Sequence, residues 1–183
     1  STVMVTFGAM VIAVPLGIGT ALYLSEVASR RLREIAKPFV EILAGIPSVV
    51  IGFIGILVIS PIIANIFGLS NGLNAINGSI LLAIMALPTI ISISEDILKS
   101  IPKTYQEASL ALGATKWQTI IRVKLPAVKS GIIAACLLGM GRAIGETMTV
   151  LMVTGCSLAM PTSYFDSVRT LTATIAIEMG EVP

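Results

Sequence analysis

The sequence predicts an all-α membrane protein, a polytopic bundle of about four to five transmembrane helices. Hydrophobic residues make up 55% of its 183 residues and charged residues only 12%, about half the charged fraction of a soluble domain. The mean hydropathy is +0.97. Long apolar segments alternate with short polar ones. Each apolar segment is able to cross the hydrocarbon core as a helix of about 20 residues. We therefore expect one transmembrane domain over residues 1–183.

Each predicted span is an apolar run interrupted by Gly or Pro, and the four runs cover residues 2–25, 39–64, 78–98 and 127–156. Proline is tolerated in membrane helices because neighbouring helices satisfy the backbone groups that it frees. We interpret Pro15 and Pro88 as packing kinks. The run Gly45-Ile46-Pro47-Ser48 instead predicts a deliberate break near the inner end of the second span. Because the sequence opens inside an apolar run, we expect it to be part of a longer chain.

The basic residues predict the orientation of the spans. All but two of the twelve lysines and arginines lie in segments 26–38 and 99–129, whereas segment 65–77 has none. By the positive-inside rule, the two basic segments face the cytoplasm. Segment 65–77 and the region after residue 157 then face outside, and the first span runs from outside to inside.

Composition also excludes several classes of function. The chain has no histidine, so a histidine-dependent metal site or general base is excluded, and no metal site is predicted. A net charge of +2 is too small to indicate nucleic-acid binding. Cys136 and Cys156 lie in one apolar run, about 30 Å apart on a helix, and we expect both to be reduced. With no Ser or Asp paired within a span, an intramembrane enzyme is not expected.

A charged amphipathic segment, residues 103–126, separates the third and fourth predicted spans. Its sequence is KTYQEASLALGATKWQTIIRVKLP. Apolar residues recur in it at rough helical spacing, and Gly113 interrupts the pattern in the middle. The pattern predicts a short helical hairpin that lies at the membrane surface and presents a face to a soluble partner.

Two ionisable residues lie inside the fourth predicted span. Arg142 is about halfway along it, and Glu146 follows one helical turn later on the same face. An arginine at this depth costs about 3 kcal/mol on insertion scales, so it needs a partner or water. One interpretation is an Arg–Glu pair that neutralises itself and ties helices together. A functional site is favoured, since Arg before Glu is the weaker order for such a pair.

The chemistry of the two side chains indicates an anion. A guanidinium presents a planar fork of donors that suits a tetrahedral oxyanion. An ionised carboxylate only accepts hydrogen bonds, so it tolerates an anion that carries a proton, as phosphate does at neutral pH and sulfate does not. Arg142 and Glu146 therefore predict a filter for phosphate over sulfate. The small-xxx-small spacing of Gly141 and Gly145 serves either helix packing or room for a solute.

Four motifs occur in order: Tyr23-Leu24-Ser25-Glu26, Gly45-Ile46-Pro47-Ser48-Val49-Val50, the loop 107–126, and Gly141-Arg142-Ala143-Ile144-Gly145-Glu146-Thr147. Together they resemble the permeases of phosphate ABC importers, the phosphate-specific transport system, over essentially the whole chain. The loop is similar to the EAA loop of type I importers, and the Arg-Ala-Ile-Gly-Glu-Thr run to phosphate permeases. Met148-Thr149-Val150 is more similar to the C subunit than to the A subunit.

The resemblance implies the type I ABC importer permease fold and a transporter subunit without an ATPase site of its own. ATP and Mg would be bound by a partner ATPase, and the chain has no G-x-x-x-x-G-K-[ST] loop and needs no cofactor. The implied partners are that cytoplasmic ATPase, a second related permease and an extracytoplasmic phosphate-binding protein, in the cell membrane of a prokaryote. The resemblance also implies one span before residue 1 and one after residue 183.

The matching motifs assign roles to single residues. They imply substrate binding by Arg142, Glu146 and Thr147. They imply an ATPase-coupling interface of six residues, in which Ser109 stands where many members have a second alanine: Glu107, Ala108, Ser109, Gly113, Ala114 and Thr115. No role is predicted for Glu178 or Glu181.

Two alternatives stay open. One is a permease of another ABC importer, for molybdate, sulfate or an organic solute; a sulfate carrier has no use for Glu146 beside the anion. The other is an ion-coupled secondary transporter in which Arg142 and Glu146 form a proton relay. That function leaves the hairpin of residues 103–126 without a purpose.

Overall fold

The computed structural model describes residues 1–181, which are mostly helical. The predicted end of the domain at residues 182–183, and the side chain of Glu181, lie outside the described part. The helices are α1 (Thr2–Leu22), α2 (Arg30–Gly45), α3 (Ser48–Ile54), α4 (Ser60–Phe67), α5 (Ala75–Lys99), α6 (Lys103–Ala111), α7 (Lys116–Thr119), α8 (Leu125–Ala127), α9 (Lys129–Gly145), α10 (Met148–Val153) and α11 (Leu171–Glu181). π-Helical turns follow α1 (Tyr23–Val27), α3 (Gly55–Ile59) and α7 (Ile120–Lys124).

The central helix is α5, which packs along α1 on one side and against α9 on another. The buried face of α1 carries a row of residues at a spacing of four, Val5 followed by the small Ala9, Ala13, Gly17 and Ala21. Such a row lets a neighbouring helix come close. The fully buried Ile90 of α5 fills the space left by two glycines, because a Cβ on Gly17 or Gly139 would lie 2.7 or 2.6 Å from it.

Within residues 1–181, three helical runs are long and apolar enough to cross a membrane: Thr2–Val27, Ser48–Phe67 and Ala75–Lys99. The first and third agree with the predicted spans. The predicted second span, residues 39–64, is wrong at its start, because residues 39–45 belong to α2, which buries none of its residues within the chain. The predicted break is confirmed. Proline disfavours helical geometry in the residue before it, and Ile46 is extended, with φ −65° and ψ 128°.

The predicted fourth span, residues 127–156, is not one helix. The run Lys116–Ala127 meets α9 at a bend of 70°, so the two together count as a fourth crossing only if a bent pair is accepted as one. At the other end α9 stops at Gly145, and α10 begins at Met148. The interruption falls on Glu146, which is extended with φ −70° and ψ 128°.

The two ends of the bundle carry different segments. Ion pairs join α2 to α5 (Lys37 to Asp96, 3.0 Å) and the hairpin region to the end of α1 (Lys124 to Glu26, 2.8 Å) at one end. At the other end the backbone N–H of Ala75 donates to the Asp166 carbonyl at 3.1 Å, which joins the two segments with few basic residues. This separation agrees with the alternation of loops that the basic residues predict.

Candidate functional site

Two helix breaks face each other where α3 packs against α10. One is Ile46-Pro47, between α2 and α3, and the other is Glu146-Thr147, between α9 and α10. The Thr149 hydroxyl donates to the Ser48 carbonyl at 2.9 Å and so joins the two helices just beyond their breaks. Gly52 permits this approach, since a Cβ there would lie 3.3 Å from the Thr149 Cα.

Arg142 lies half-buried in the last turn of α9 and reaches the first of these breaks. Its Nη2 donates to the Ala44 carbonyl at 3.1 Å and its Nη1 to the Thr89 hydroxyl at 3.4 Å. Ala44 is in the last turn of α2, where carbonyls lack partners within the helix and a positive charge is favourable. Both partners are neutral, so they leave the charge unbalanced. A guanidinium has five N–H donors, and these two bonds leave others for a ligand.

Glu146 is not inside the helix that carries Arg142, because α9 ends at Gly145 and Glu146 follows it with an extended backbone. Among the residues that the structure describes, no ion pair joins the two side chains. The Glu146 carboxylate lies 3.4 Å from the Thr149 hydroxyl oxygen, whose one proton goes to the nearer Ser48 carbonyl, and the Glu146 carbonyl accepts from the Thr172 hydroxyl at 2.9 Å. Thr147 donates to the Gly145 carbonyl at 3.4 Å. The self-neutralising Arg–Glu pair, one of the two interpretations of the sequence, is therefore not formed here.

The glycines beside Arg142 differ in their surroundings. Gly139 packs against Ile90 of α5, whereas a Cβ on Gly141 or Gly145 would meet no heavy atom within 4 Å. Within the described chain, the Gly141–Gly145 spacing therefore leaves open space and does not serve helix packing. The face of α9 beside Arg142 is free of side-chain bulk.

The predicted hairpin of residues 103–126 is present as α6 and α7 joined by a tight turn. Gly113 occupies that turn with φ +83°, a left-handed conformation that costs glycine least. Thr115 then caps α7: its hydroxyl accepts from the Gln118 backbone N–H at 3.3 Å, and the Gln118 side chain accepts from the Thr115 N–H at 2.8 Å. This reciprocal cap fixes where the second helix begins.

Most of the predicted interface residues lie on the outside of the hairpin. Glu107, Ala108, Gly113 and Thr115 are exposed, and Ala114 is half-buried. Ser109 differs, because its side chain is buried and its hydroxyl lies 2.9 Å from that of Thr119. That hydrogen bond ties α6 to α7, so Ser109 holds the hairpin together from inside.

Sequence reasoning missed a set of buried ion pairs at the basic end of the bundle. Glu95, only 1% exposed, pairs with Lys99 and lies 3.9 Å from Arg33. The spacing of Glu95 and Lys99 is a recognisable helical pair. Lys124 and Glu26 are 98 positions apart, so no local pattern could have indicated their contact.

Comparison with known proteins identifies the family. The sequence matches the family described as "Binding-protein-dependent transport system inner membrane component" over residues 13–179. The chain belongs to this family. It is a membrane protein with the all-α permease fold that its sequence predicts, and proteins of this kind leave ATP hydrolysis to a separate subunit.

The relatives of the chain include phosphate permeases. It is 46% identical over 176 residues to a Bacillus subtilis (strain 168) protein named "Probable ABC transporter permease protein YqgH". The matched region covers 96% of this chain and 57% of that protein. It is 37% identical to the phosphate transport system permease protein PstC of Mesorhizobium japonicum, over 98% of this chain and 61% of that protein. The chain thus spans about three fifths of the length of these relatives.

A solved structure shares the fold. The methionine ABC transporter MetNI, in an inward-facing conformation, superposes with a TM-score of 0.61 and 27% sequence identity, over 79% of this chain and 65% of that chain. The resemblance to type I ABC importer permeases that the sequence motifs carry is confirmed.

Proposed function

We propose that this chain is the membrane permease part of an ATP-driven importer of inorganic phosphate. The observation that carries the proposal is Arg142, a cation held between helix breaks by neutral oxygens and with donors to spare. The PstC proteins among the relatives support phosphate as the substrate class.

Arg142, Glu146 and Thr147 would act together on the anion. The guanidinium supplies charge and donors, and the open space at Gly141 and Gly145 gives the anion access to it. The Thr149 hydroxyl donates its one proton to the Ser48 carbonyl, so the Glu146 carboxylate, 3.4 Å away, keeps acceptor capacity for a proton on the ligand. A protonated phosphate satisfies both residues, whereas sulfate meets only repulsion from the carboxylate.

The hairpin would couple the permease to its ATPase. Its turn is exposed and its shape is fixed by Gly113, by the Thr115 cap and by the bond from Ser109 to Thr119. A rigid exposed hairpin suits docking to a soluble subunit. In this proposal Glu107, Ala108, Gly113, Ala114 and Thr115 contact the ATPase, and Ser109 supports them.

The other partners follow from the same proposal. A second related permease would complete the pathway beside the open face of α9. A phosphate-binding protein would deliver the anion at the outer end of the bundle, and the ATPase would bind ATP and Mg at the cytoplasmic end. The complex would reside in the cell membrane of a prokaryote. The likeness to a methionine transporter favours an organic solute as the second candidate.

Uptake of labelled phosphate by the complete transporter tests the site. Arg142→Gln should lower uptake about 10- to 100-fold, since hydrogen bonds to charged groups contribute about 1.5–3 kcal/mol. Arg142→Lys should recover only part of it, because a point charge cannot reproduce the fork. Arg31→Gln, at an exposed position on α2, is the matched control and should leave uptake unchanged. Normal uptake by an assembled Arg142→Gln transporter would refute the site.

Competition by sulfate, molybdate and methionine tests the substrate. Glu146→Gln should weaken discrimination against sulfate, because an amide both donates and accepts hydrogen bonds. Exchange of the two charges, Arg142→Glu with Glu146→Arg, should abolish uptake. Restored uptake in that double variant would indicate an ion pair and would contradict the anion site.

A further inference from the structure

A buried cluster at the basic end joins three parts of the chain that are distant in sequence. The Lys124 ammonium donates to both carboxylate oxygens of Glu26 at 2.8 Å and to the Gln106 side-chain oxygen at 2.9 Å. The Lys124 side chain is 10% exposed and that of Glu26 is 8% exposed. We call these three residues the clamp.

The three clamp residues connect the hairpin to the end of α1. Gln106 lies in α6 of the hairpin, and Lys124 lies in the π-helical turn that leads from the hairpin to α8. Glu26 lies in the π-helical turn that ends α1. A displacement of the hairpin therefore acts directly on the end of the first span, which packs along α5.

Every donor of the Lys124 ammonium is used within the clamp. An ammonium has three donors, and all three have acceptors here. Removing either partner of a buried ion pair leaves an uncompensated charge, so the two elements resist separation. Arg33 fixes the same turn of α1, because its guanidinium donates to the Leu24 and Ser25 carbonyls at 2.7 Å.

An adjoining cavity of about 280 Å³ does not make this an anion site. Its lysines include Lys99, Lys103, Lys116 and Lys124, but Lys124 has no donor left and Lys99 is paired with Glu95. Only the exposed Lys103 and Lys116 remain for a ligand. The cavity therefore lies beside contacts that hold the hairpin to the end of α1, and it is not a binding site for an anion.

We infer that Glu26, Lys124 and Gln106 are positioning residues that transmit movement of the hairpin to the first span. This inference rests on the proposed coupling role of the hairpin, but it does not depend on which solute is carried. The clamp makes α1 and the hairpin move as one unit when the ATPase closes. Loss of the clamp would let the hairpin move while α1 stays behind.

The test uses the full-length permease in complex with its ATPase and follows two quantities per assembled complex. The first is the solute transported per ATP hydrolysed, which Glu26→Gln and Lys124→Met should each lower by about fivefold. The second is the distance between spin labels at positions 16 and 112, in a background without Cys136 and Cys156. Addition of ATP should change this distance in both variants and leave it constant in the native protein.

Controls separate transmission from stability. The double variant Glu26→Lys with Lys124→Glu should restore the constant distance, and Lys37→Met, which removes an exposed pair between α2 and α5, should not disturb it. A constant label distance in assembled Glu26→Gln would overturn the inference. If neither single variant assembles, Gln106→Leu carries the test, because it keeps the ion pair. A constant distance there would also overturn it. If the native transporter takes up no phosphate but the label distances behave as expected in the native protein and in the variants, the proposed substrate is wrong and the role of the clamp stands.

Discussion

Arg142 and Lys124 are both cations held inside the bundle, yet their surroundings are opposite. Lys124 faces a carboxylate and an amide oxygen that use all three of its donors. Arg142 faces a carbonyl and a hydroxyl that use only part of its guanidinium. The charge of Lys124 is balanced by Glu26, and all its donors are used. The charge of Arg142 is not balanced, and some of its donors stay free for a ligand.

The partners of a buried cation distinguish a structural role from ligand binding. A buried charge next to an opposite charge mainly holds elements in register, because separating the pair is costly. A charge held by neutral dipoles attracts an anion and can still donate to it. Depth in the membrane alone would not distinguish them.

The largest expected effect is on stability at the clamp. Lys124→Met should destabilise the purified complex by about 3–5 kcal/mol, because it strands the buried Glu26 carboxylate. Arg142→Met should cost less, about 1–3 kcal/mol, because it leaves only a carbonyl and a hydroxyl without a donor. Denaturant unfolding of the two variants in detergent measures the difference. Equal losses would break the distinction between the two cations.

Glycines two positions apart on α9 give an intermediate effect. Gly139→Ala should destabilise by about 1–3 kcal/mol, because the new Cβ would lie 2.6 Å from Ile90 in a packed core. Gly141→Ala meets open space and gains helix propensity, so it should be neutral or stabilising. Thermal unfolding of the matched pair provides the measurement. A destabilised Gly141→Ala would indicate that the face beside Arg142 is not open.

The smallest effect is expected at the exposed pair of Lys37 and Asp96. The hydrogen bond to Asp96 raises the pKa of Lys37 above 10.5, so the stabilisation is present below the unfolded-state pKa and is lost as the pH rises through the folded-state value. Side chains that are 37% and 61% exposed limit it to less than about 1 kcal/mol. Unfolding at neutral and strongly alkaline pH, with Lys37→Met as control, measures it. A larger loss would contradict the description of this pair as exposed and weakly stabilising.

Much of the fold could be predicted from the sequence because the signals are local. The apolar runs located the first and third spans, Pro47 located the break before α3, and Gly113 located the turn of the hairpin. The basic residues sorted the loops to two ends of the bundle.

The rest depends on contacts that no local pattern records. Helical spacing placed Glu146 beside Arg142, but the chain leaves the helix at Gly145, and the partner of Arg142 proved to be the end of α2. Ser109 appeared to be an interface residue, and its burial depends on the way α7 folds back on α6. Lys124 appeared to be one of many cytoplasmic charges until the fold brought Glu26 to it.

One variant at each end of this comparison shows whether the Arg142 site and the clamp have separate roles. Arg142→Gln and Glu26→Gln would be compared in the complete transporter for phosphate uptake and for the ATP-induced change in the distance between labels at positions 16 and 112. We expect Arg142→Gln to lose uptake and to keep the constant label distance of the native protein. Glu26→Gln should show a distance change and should transport less solute per ATP hydrolysed, while it still binds phosphate. Loss of the same function in both variants would contradict the separate roles assigned to these cations.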